Sequence, residues 1–369
     1  MEGAEAPDVP GPTPGGGPTL GRAGSRPGRA QGAWLWSTAT LSVVALATVV
    51  LMAPPGSASP GRGLDWLLFV GSSMHVASTG WLYTLPEVRI HAAQNPRRYV
   101  WMPIALIVAA ATIAALASAS ELAWLLLPYF AWQFFHFQKQ NLGVTALAAS
   151  SHRVPTLRPM ERRSLVVAGL AGIAGLMAEP HLLQLNAHSR IGPVFDLAGI
   201  VFLGAVAVGL VQLFRRRPED RPLGFCAMYL MAFLFSLPVF AFTSPYAAVG
   251  GMTVAHGLQY LVLVGLVAAG TRGSRARFLR LGALCNIALI GGAALAAASH
   301  LHSSAPLERV IFGAYLGLVM AHFVVDGGLW RLRDPFPRSF LESRIPYLVP
   351  GDHTGTGPPV TDRSSSGIE

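Results

Sequence analysis

The chain has 369 residues, 52% of them hydrophobic and only 12% charged, whereas a soluble globular domain carries about 25% charged residues. With a mean hydropathy of +0.47, this composition excludes a soluble enzyme and points to a polytopic membrane protein. The net charge of +9 would suit a nucleic-acid binder, but the arginines lie in short clusters between apolar runs, where membrane topology accounts for them, so no nucleic-acid partner is expected.

Residues 1–32 are rich in Gly, Pro, Ala and Arg and lack hydrophobic periodicity, which predicts a disordered cytoplasmic tail rather than a signal peptide. Residues 33–335 read as a transmembrane helical domain, and residues 336–369 as a second disordered cytoplasmic tail. Within the domain lie about ten apolar stretches of the roughly 20 residues that span a bilayer. They fall near 33–53, 64–85, 99–118, 121–149, 164–183, 193–214, 222–243, 246–270, 276–299 and 307–330. The third and fourth are separated only around Ser118, Ala119 and Ser120.

Arginines follow the even-numbered stretches: Arg89, Arg97 and Arg98; Arg153, Arg158, Arg162 and Arg163; Arg215, Arg216, Arg217 and Arg221; Arg272, Arg275 and Arg277; Arg331 and Arg333. The connections after odd-numbered stretches carry only Arg62, Arg190 and Arg309 as isolated cases. By the positive-inside rule, this pattern predicts an all-α, polytopic integral membrane bundle of about ten transmembrane helices in the cell membrane, with both termini cytoplasmic.

Four of the even-numbered stretches carry one histidine in mid-span: His75, His136, His256 and His322. At 1.5 Å per residue they fall roughly 15 to 22 Å below the outer ends of their helices, so one membrane layer can hold all four. Each belongs to a polar stripe at helical spacing. Ser72, His75 and Thr79 share a face, as do Gln133, His136, Lys139 and Gln140, then Thr253, His256, Gln259 and Tyr260, and finally His322 and Asp326. A single intramembrane histidine is explained by a hydrogen bond to a neighbouring helix, worth about 1 kcal/mol. Four at one depth, all with polar neighbours, point to function, because ionisable groups in lipid are costly.

His322 and Asp326 are spaced i, i+4, so both side chains can reach one metal ion. The competing reading pairs Asp326 with Arg331 or Arg333 at a helix end. Cys226 and Cys285 show no CxxC spacing, so metal chemistry here must use nitrogen and oxygen donors. Lys139 is the only lysine among 27 basic residues. It either snorkels to the interface or pairs with Asp326 or an anionic substrate group. Glu87 and His91, also i, i+4, are second-rank ligand candidates. His181, His188, His300, His302, His152 and His353 lie in connections and a tail, and no role is assigned to them.

The block from His322 to Pro335, with Phe135 to Gly143 and His256 to Tyr260, resembles an uncharacterised group of bacterial polytopic membrane proteins with intramembrane histidines. That resemblance implies no activity. In its single histidines spread over several spans, the chain is also similar to the bacterial membrane carotenoid-cleaving oxygenases, with no motif from which residue roles carry over. The His-x-x-x-His and His-x-x-His-His boxes of membrane desaturases and hydroxylases do not occur.

The expected function is that of a membrane-embedded non-haem iron oxidoreductase, oxygenase- or hydroxylase-like, acting on an apolar or amphiphilic substrate. One or two irons are held by His75, His136, His256, His322 and Asp326, since imidazole and carboxylate suit iron with open positions. Lys139, Gln140, Gln259 and Tyr260 complete the catalytic set, the two glutamines orienting the ligands. The partners expected are the bilayer, the substrate and an unknown redox partner. The alternatives are a proton- or ion-coupled transporter using the same residues and a haem-binding electron carrier.

Overall fold

A computed structural model of the protein describes residues 28–56, 59–185, 191–270, 273–301 and 305–349. Helices joined by short connections make up the described residues, which contain no strand. Ten helices cover the expected apolar stretches: α1 Arg29–Met52; α2 over 62–82; α4 Arg97–Leu116; α5 Ala119–Ser151; α6 Pro159–Ala178; α7 Gly192–Phe214; α8 Leu223–Leu234; α10 Tyr246–Ala269; α11 Ser274–Ser299; and α12 Pro306–Leu329. Three shorter helices complete the chain: α3 Pro86–Gln94, α9 Leu237–Ala241 and α13 Pro335–Arg344.

Six of these, α1, α4, α7, α10, α11 and α12, are long and apolar enough to cross a membrane. The remaining four departures from the expected spans have local causes. In α2, a π-helical turn at Phe69–Met74 separates Arg62–Leu68 from His75–Leu82. Helix α5 is diluted by Glu121, Gln133, Gln138, Lys139, Gln140 and Asn141, α6 opens on Glu161, Arg162 and Arg163, and the 222–243 stretch breaks between α8 and α9. The separation around Ser118 is a helix start. The Ser118 hydroxyl accepts from the Glu121 amide, and the Glu121 carboxylate accepts from the Ser118 amide at 2.7 Å, a reciprocal cap for α5.

Small residues set the crossings that matter for the site. Helix α12 packs most extensively on α4, with Gly313 and Gly317 one turn apart against the backbones of Ala110, Ala111 and Ile107. This is how apolar helices approach closely where no hydrophobic force drives them together. Helices α2 and α10 meet at Gly71 and Gly257, where a Cβ on either residue would strike the other helix's backbone. Gly71 lies one turn before His75, and Gly257 directly follows His256. The backbone contact therefore places those two histidines against each other.

Two expectations are corrected at the chain ends. Residues from 336 were read as disordered, yet α13 forms and buries Phe340 and Leu341, followed by buried Ile345, Leu348 and Val349. The apolar residues recur at helical spacing from Phe336, Pro335 opens the helix, and Arg338 and Glu342 pair at i, i+4, 2.9 Å apart. At the other end, α1 begins at Arg29, inside the span read as tail. The rest of both tails lies outside the described residues.

One arginine read as a topology signal has a packing role. Arg216 is buried, its guanidinium 2.6 Å from Glu161 and donating to the carbonyls of Pro155 and Thr156. The charge is taken up by a bidentate pair and two carbonyls, which ties the end of α7 to α6 and to the 153–158 connection before it.

Candidate metal centre

The four histidines expected to share one layer converge. His75 on α2, His136 on α5, His256 on α10 and His322 on α12 are 4%, 7%, 0% and 3% exposed. Their rings form a closed circuit with centroid separations of 4.9 Å from His75 to His256, 5.1 Å to His136, 5.2 Å to His322 and 5.0 Å back to His75. Neighbouring planes stand at 69° to 90°, so the rings meet edge to face and none stacks on another in the circuit.

The ring nitrogens decide what this arrangement can hold. Nε2 of His136 and of His322, and both nitrogens of His75 and His256, are buried without a hydrogen-bond partner. Buried polar atoms are nearly always satisfied, so several orphans at one place call for a missing partner. The donor atoms of His75, His256 and His322 lie within 4.8 Å of one another, as do those of His136, His322 and Asp326. Two nitrogens across one ion stand at most about 4.2 Å apart at a 2.1 Å bond length. Each of the two groups is therefore close to the donor spacing around one metal ion.

His322 belongs to both groups, and its second nitrogen is committed. Nδ1 lies 2.7 Å from Thr79 Oγ1 and 3.5 Å from an Asp326 oxygen. Thr79 in turn is 2.8 Å from the Tyr260 hydroxyl, which donates to Asp326 at 2.9 Å. These contacts commit Nδ1 and leave the buried Nε2 as the unpartnered donor, the usual arrangement behind a metal-ligating imidazole. Two of the rings are held by aromatic stacking. His256 lies on Phe137 at 4.1 Å and His136 on Phe323 at 4.5 Å.

Several sequence expectations are relocated. Asp326 is buried and engages Tyr260 and His322, whereas Arg331 and Arg333 both approach Asp334, so the helix-end pairing is set aside. Lys139 is exposed, its ammonium 5.2 Å from the Phe135 ring centroid, and does not pair with Asp326. It follows His136 by three residues but leaves the helix on another side. The hydrogen bonds of Gln140 and Gln259 go elsewhere than to the imidazole nitrogens. Gln140 donates to the His256 carbonyl at 2.9 Å and to Gln259 at 3.0 Å, and Gln259 donates to Ser42 of α1 at 3.0 Å. They fix the helix backbones behind the rings.

Glu87 and His91 are engaged elsewhere. Glu87 accepts from Arg344 at 2.9 Å, and His91 stacks on Phe336 at 3.9 Å, where desolvation and then the nearby Arg98 lower its pKa. Of the other described histidines, His181 lies 3.0 Å from Glu179 and His300 2.7 Å from the Ala296 carbonyl, while Nε2 of His152 is buried without a hydrogen-bond partner, away from the circuit. His188, His302 and His353 lie outside the described residues.

Sequence reasoning missed Phe137 and Phe323 as ring supports and Thr79 as the bridge to His322. A signal was present. Phe follows His at both 136 and 322, and Thr79 lies one turn from His75 on the polar stripe. Comparison with protein-family models, with curated proteins and with solved structures finds no match to this chain.

Proposed function

We propose that this protein is a membrane-embedded, non-haem iron oxidoreductase, oxygenase- or hydroxylase-like, acting on an apolar or amphiphilic substrate. The observation that carries the reading is the circuit of four buried imidazoles, each with a nitrogen lacking a partner. Imidazole donors suit iron among a few first-row metals, and four neutral ligands leave positions of a six-coordinate ion open. When bound, the iron would supply dioxygen activation. The residues supply the rest: His75, His136, His256 and His322 hold the ion, and Thr79 and Asp326 fix the His322 ring. Tyr260 holds Asp326. The two donor groups share His322, so they can take one or two ions, and Glu87 and His91, engaged elsewhere, supply no further ligand. Rings only about 5 Å from their neighbours favour a bare ion over a haem macrocycle.

The test is elemental analysis with visible spectroscopy on detergent-purified protein. Stoichiometric iron without an intense haem band is the expected result. A metal-free protein would sink the reading and favour a proton- or ion-coupled transporter built on the same residues.

We also propose that the chain crosses the cell membrane about ten times with both termini cytoplasmic. The support is the arginine distribution together with the helices that cover each apolar stretch. Topology reporters fused at Arg190 and Arg217 are expected on opposite sides. A shared side would break the ten-span arrangement between α6 and α8.

A further inference from the structure

Helix α11 carries a polar group on its outer side. Asn286 is the one amide or charged side chain between Arg280 and His300. On this 26-residue helix it lies about 18 to 20 Å from either end at 1.5 Å per residue. In a helix long and apolar enough to cross a membrane, that is the middle of the hydrocarbon, and Asn286 is exposed there. Its Nδ2 donates to the Gly282 carbonyl one turn earlier at 2.8 Å, whereas Oδ1 accepts no hydrogen bond among the described residues. Lipid tails supply neither donors nor acceptors, so the carboxamide is satisfied only by another protein.

The residues around Asn286 form a face suited to a second helix. Leu279, Gly282, Asn286, Leu289 and Ala293 follow alternating spacings of three and four residues, the seam along which paired helices pack left-handedly. Leu279 and Leu289 are 63% and 50% exposed, and Ala293 is exposed as well. A Cβ on Gly282 would meet no atom within 4 Å, so its backbone is open to close approach. The opposite side of α11 is the buried one: Leu284 and Leu295 lie there, and Gly292 packs on Met74 of α2.

We infer that α11 is the interface of a homodimer, paired with α11 of a second copy that runs parallel to it about a two-fold axis along the membrane normal. The polar group identifies the occupant. A carboxamide both donates and accepts, so two Asn286 side chains at one depth complement each other, Nδ2–H of each donating to Oδ1 of the other. A second copy brings that side chain to that depth by symmetry, since an isologous contact pairs a face with itself. Asn286 is seven residues from Leu279 and seven from Ala293, so the polar contact has apolar packing above and below it. Arg275 shares the face, but it lies at the helix end, where two like charges meet in the hydrated head-group region and are screened.

The test counts subunits of the full-length protein in liposomes by single-molecule photobleaching over a range of protein-to-lipid ratios, with iron content read on every sample. Wild type is expected to be dimeric at ratios where Asn286→Leu is monomeric, the substitution weakening the dimer about tenfold or more, the loss that interhelical polar contacts in lipid carry. Asn286→Gln keeps the carboxamide and is expected to keep the dimer. Gly282→Ile holds the two backbones apart and is expected to break it. Both broken variants alter only the outer face, so they are expected to remain monodisperse with iron unchanged. With both native cysteines replaced by Ala, oxidation is expected to cross-link Ala293→Cys. With Cys226→Ala alone, native Cys285, about 100° around the helix from Asn286, is expected not to cross-link.

Monomeric wild type at every ratio, or a dimer that Asn286→Leu leaves intact, would overturn the interface. Cross-linking through Cys285 but not through Ala293→Cys would place the contact on another face and overturn it as well. Iron-free protein that still dimerises through Asn286 would remove the metal reading and leave the dimer standing.

Discussion

His256→Gln is expected to strip the purified protein of its metal while leaving it inserted, extractable and monodisperse. His256 is 0% exposed, with neither ring nitrogen partnered, and its ring lies 4.9 Å from His75 and 5.1 Å from His136. Removing an imidazole from the middle of that circuit leaves the other three without a complete donor set. Loss of an outer-shell partner alone lowers metal affinity about 10- to 100-fold, so loss of a ligand should exceed about 100-fold. Folding should persist because α10 is held by other contacts. Gly257 seats on Gly71, and Gln140 donates to the residue-256 carbonyl, which the substitution retains. Iron measured by elemental analysis at wild-type occupancy in His256→Gln would refute the four-imidazole site.

Asp326→Asn separates a direct ligand from an orienting partner. The Asp326 carboxylate accepts from Tyr260 and lies 3.5 Å from Nδ1 of His322. A side chain that acts by fixing the His322 ring should weaken iron binding about 10- to 100-fold when its charge is removed, leaving iron detectable when the metal is supplied in excess. Complete loss, equal to that of His256→Gln, would instead place Asp326 in the coordination sphere with His136 and His322, whose donor atoms lie within 4.8 Å of its own. Tyr260→Phe removes the donor to Asp326 and should move iron affinity in the same direction by less. Arg331→Gln should leave it unchanged, since Arg331 faces Asp334 at 3.6 Å. A shift in Arg331→Gln as large as that in Asp326→Asn would return Asp326 to a helix-end role.

The helical class, the apolar stretches and the shared depth of the four histidines were all legible in the chain, because each depends on local quantities. Hydrophobic length reports a helix in lipid directly. A rise of 1.5 Å per residue converts position along a helix into depth. The i, i+3 and i+4 spacings report a common face, which is why Thr79, His75, Tyr260, His256, His322 and Asp326 could be grouped in advance.

Rotation about each helix axis and the approach of one helix to another are not local, and those decided the rest. Lys139 sits one turn from His136, yet the packing of α5 leaves it outside on Phe135. Glu87 and His91 have ligand-like spacing, but α13, a helix within a stretch that reads as tail, supplies Arg344 and Phe336 to engage them. The contact of Gly71 with Gly257 brings His75 onto His256. No pattern within either helix encodes it, because what a glycine permits depends on the backbone that arrives opposite. Likewise, Asp326 could serve an ion, an arginine or an imidazole at the same spacing. Only the position of α2 against α10 and α12, which carries Thr79 to within 2.7 Å of His322 and 2.8 Å of Tyr260, directs it to the imidazole.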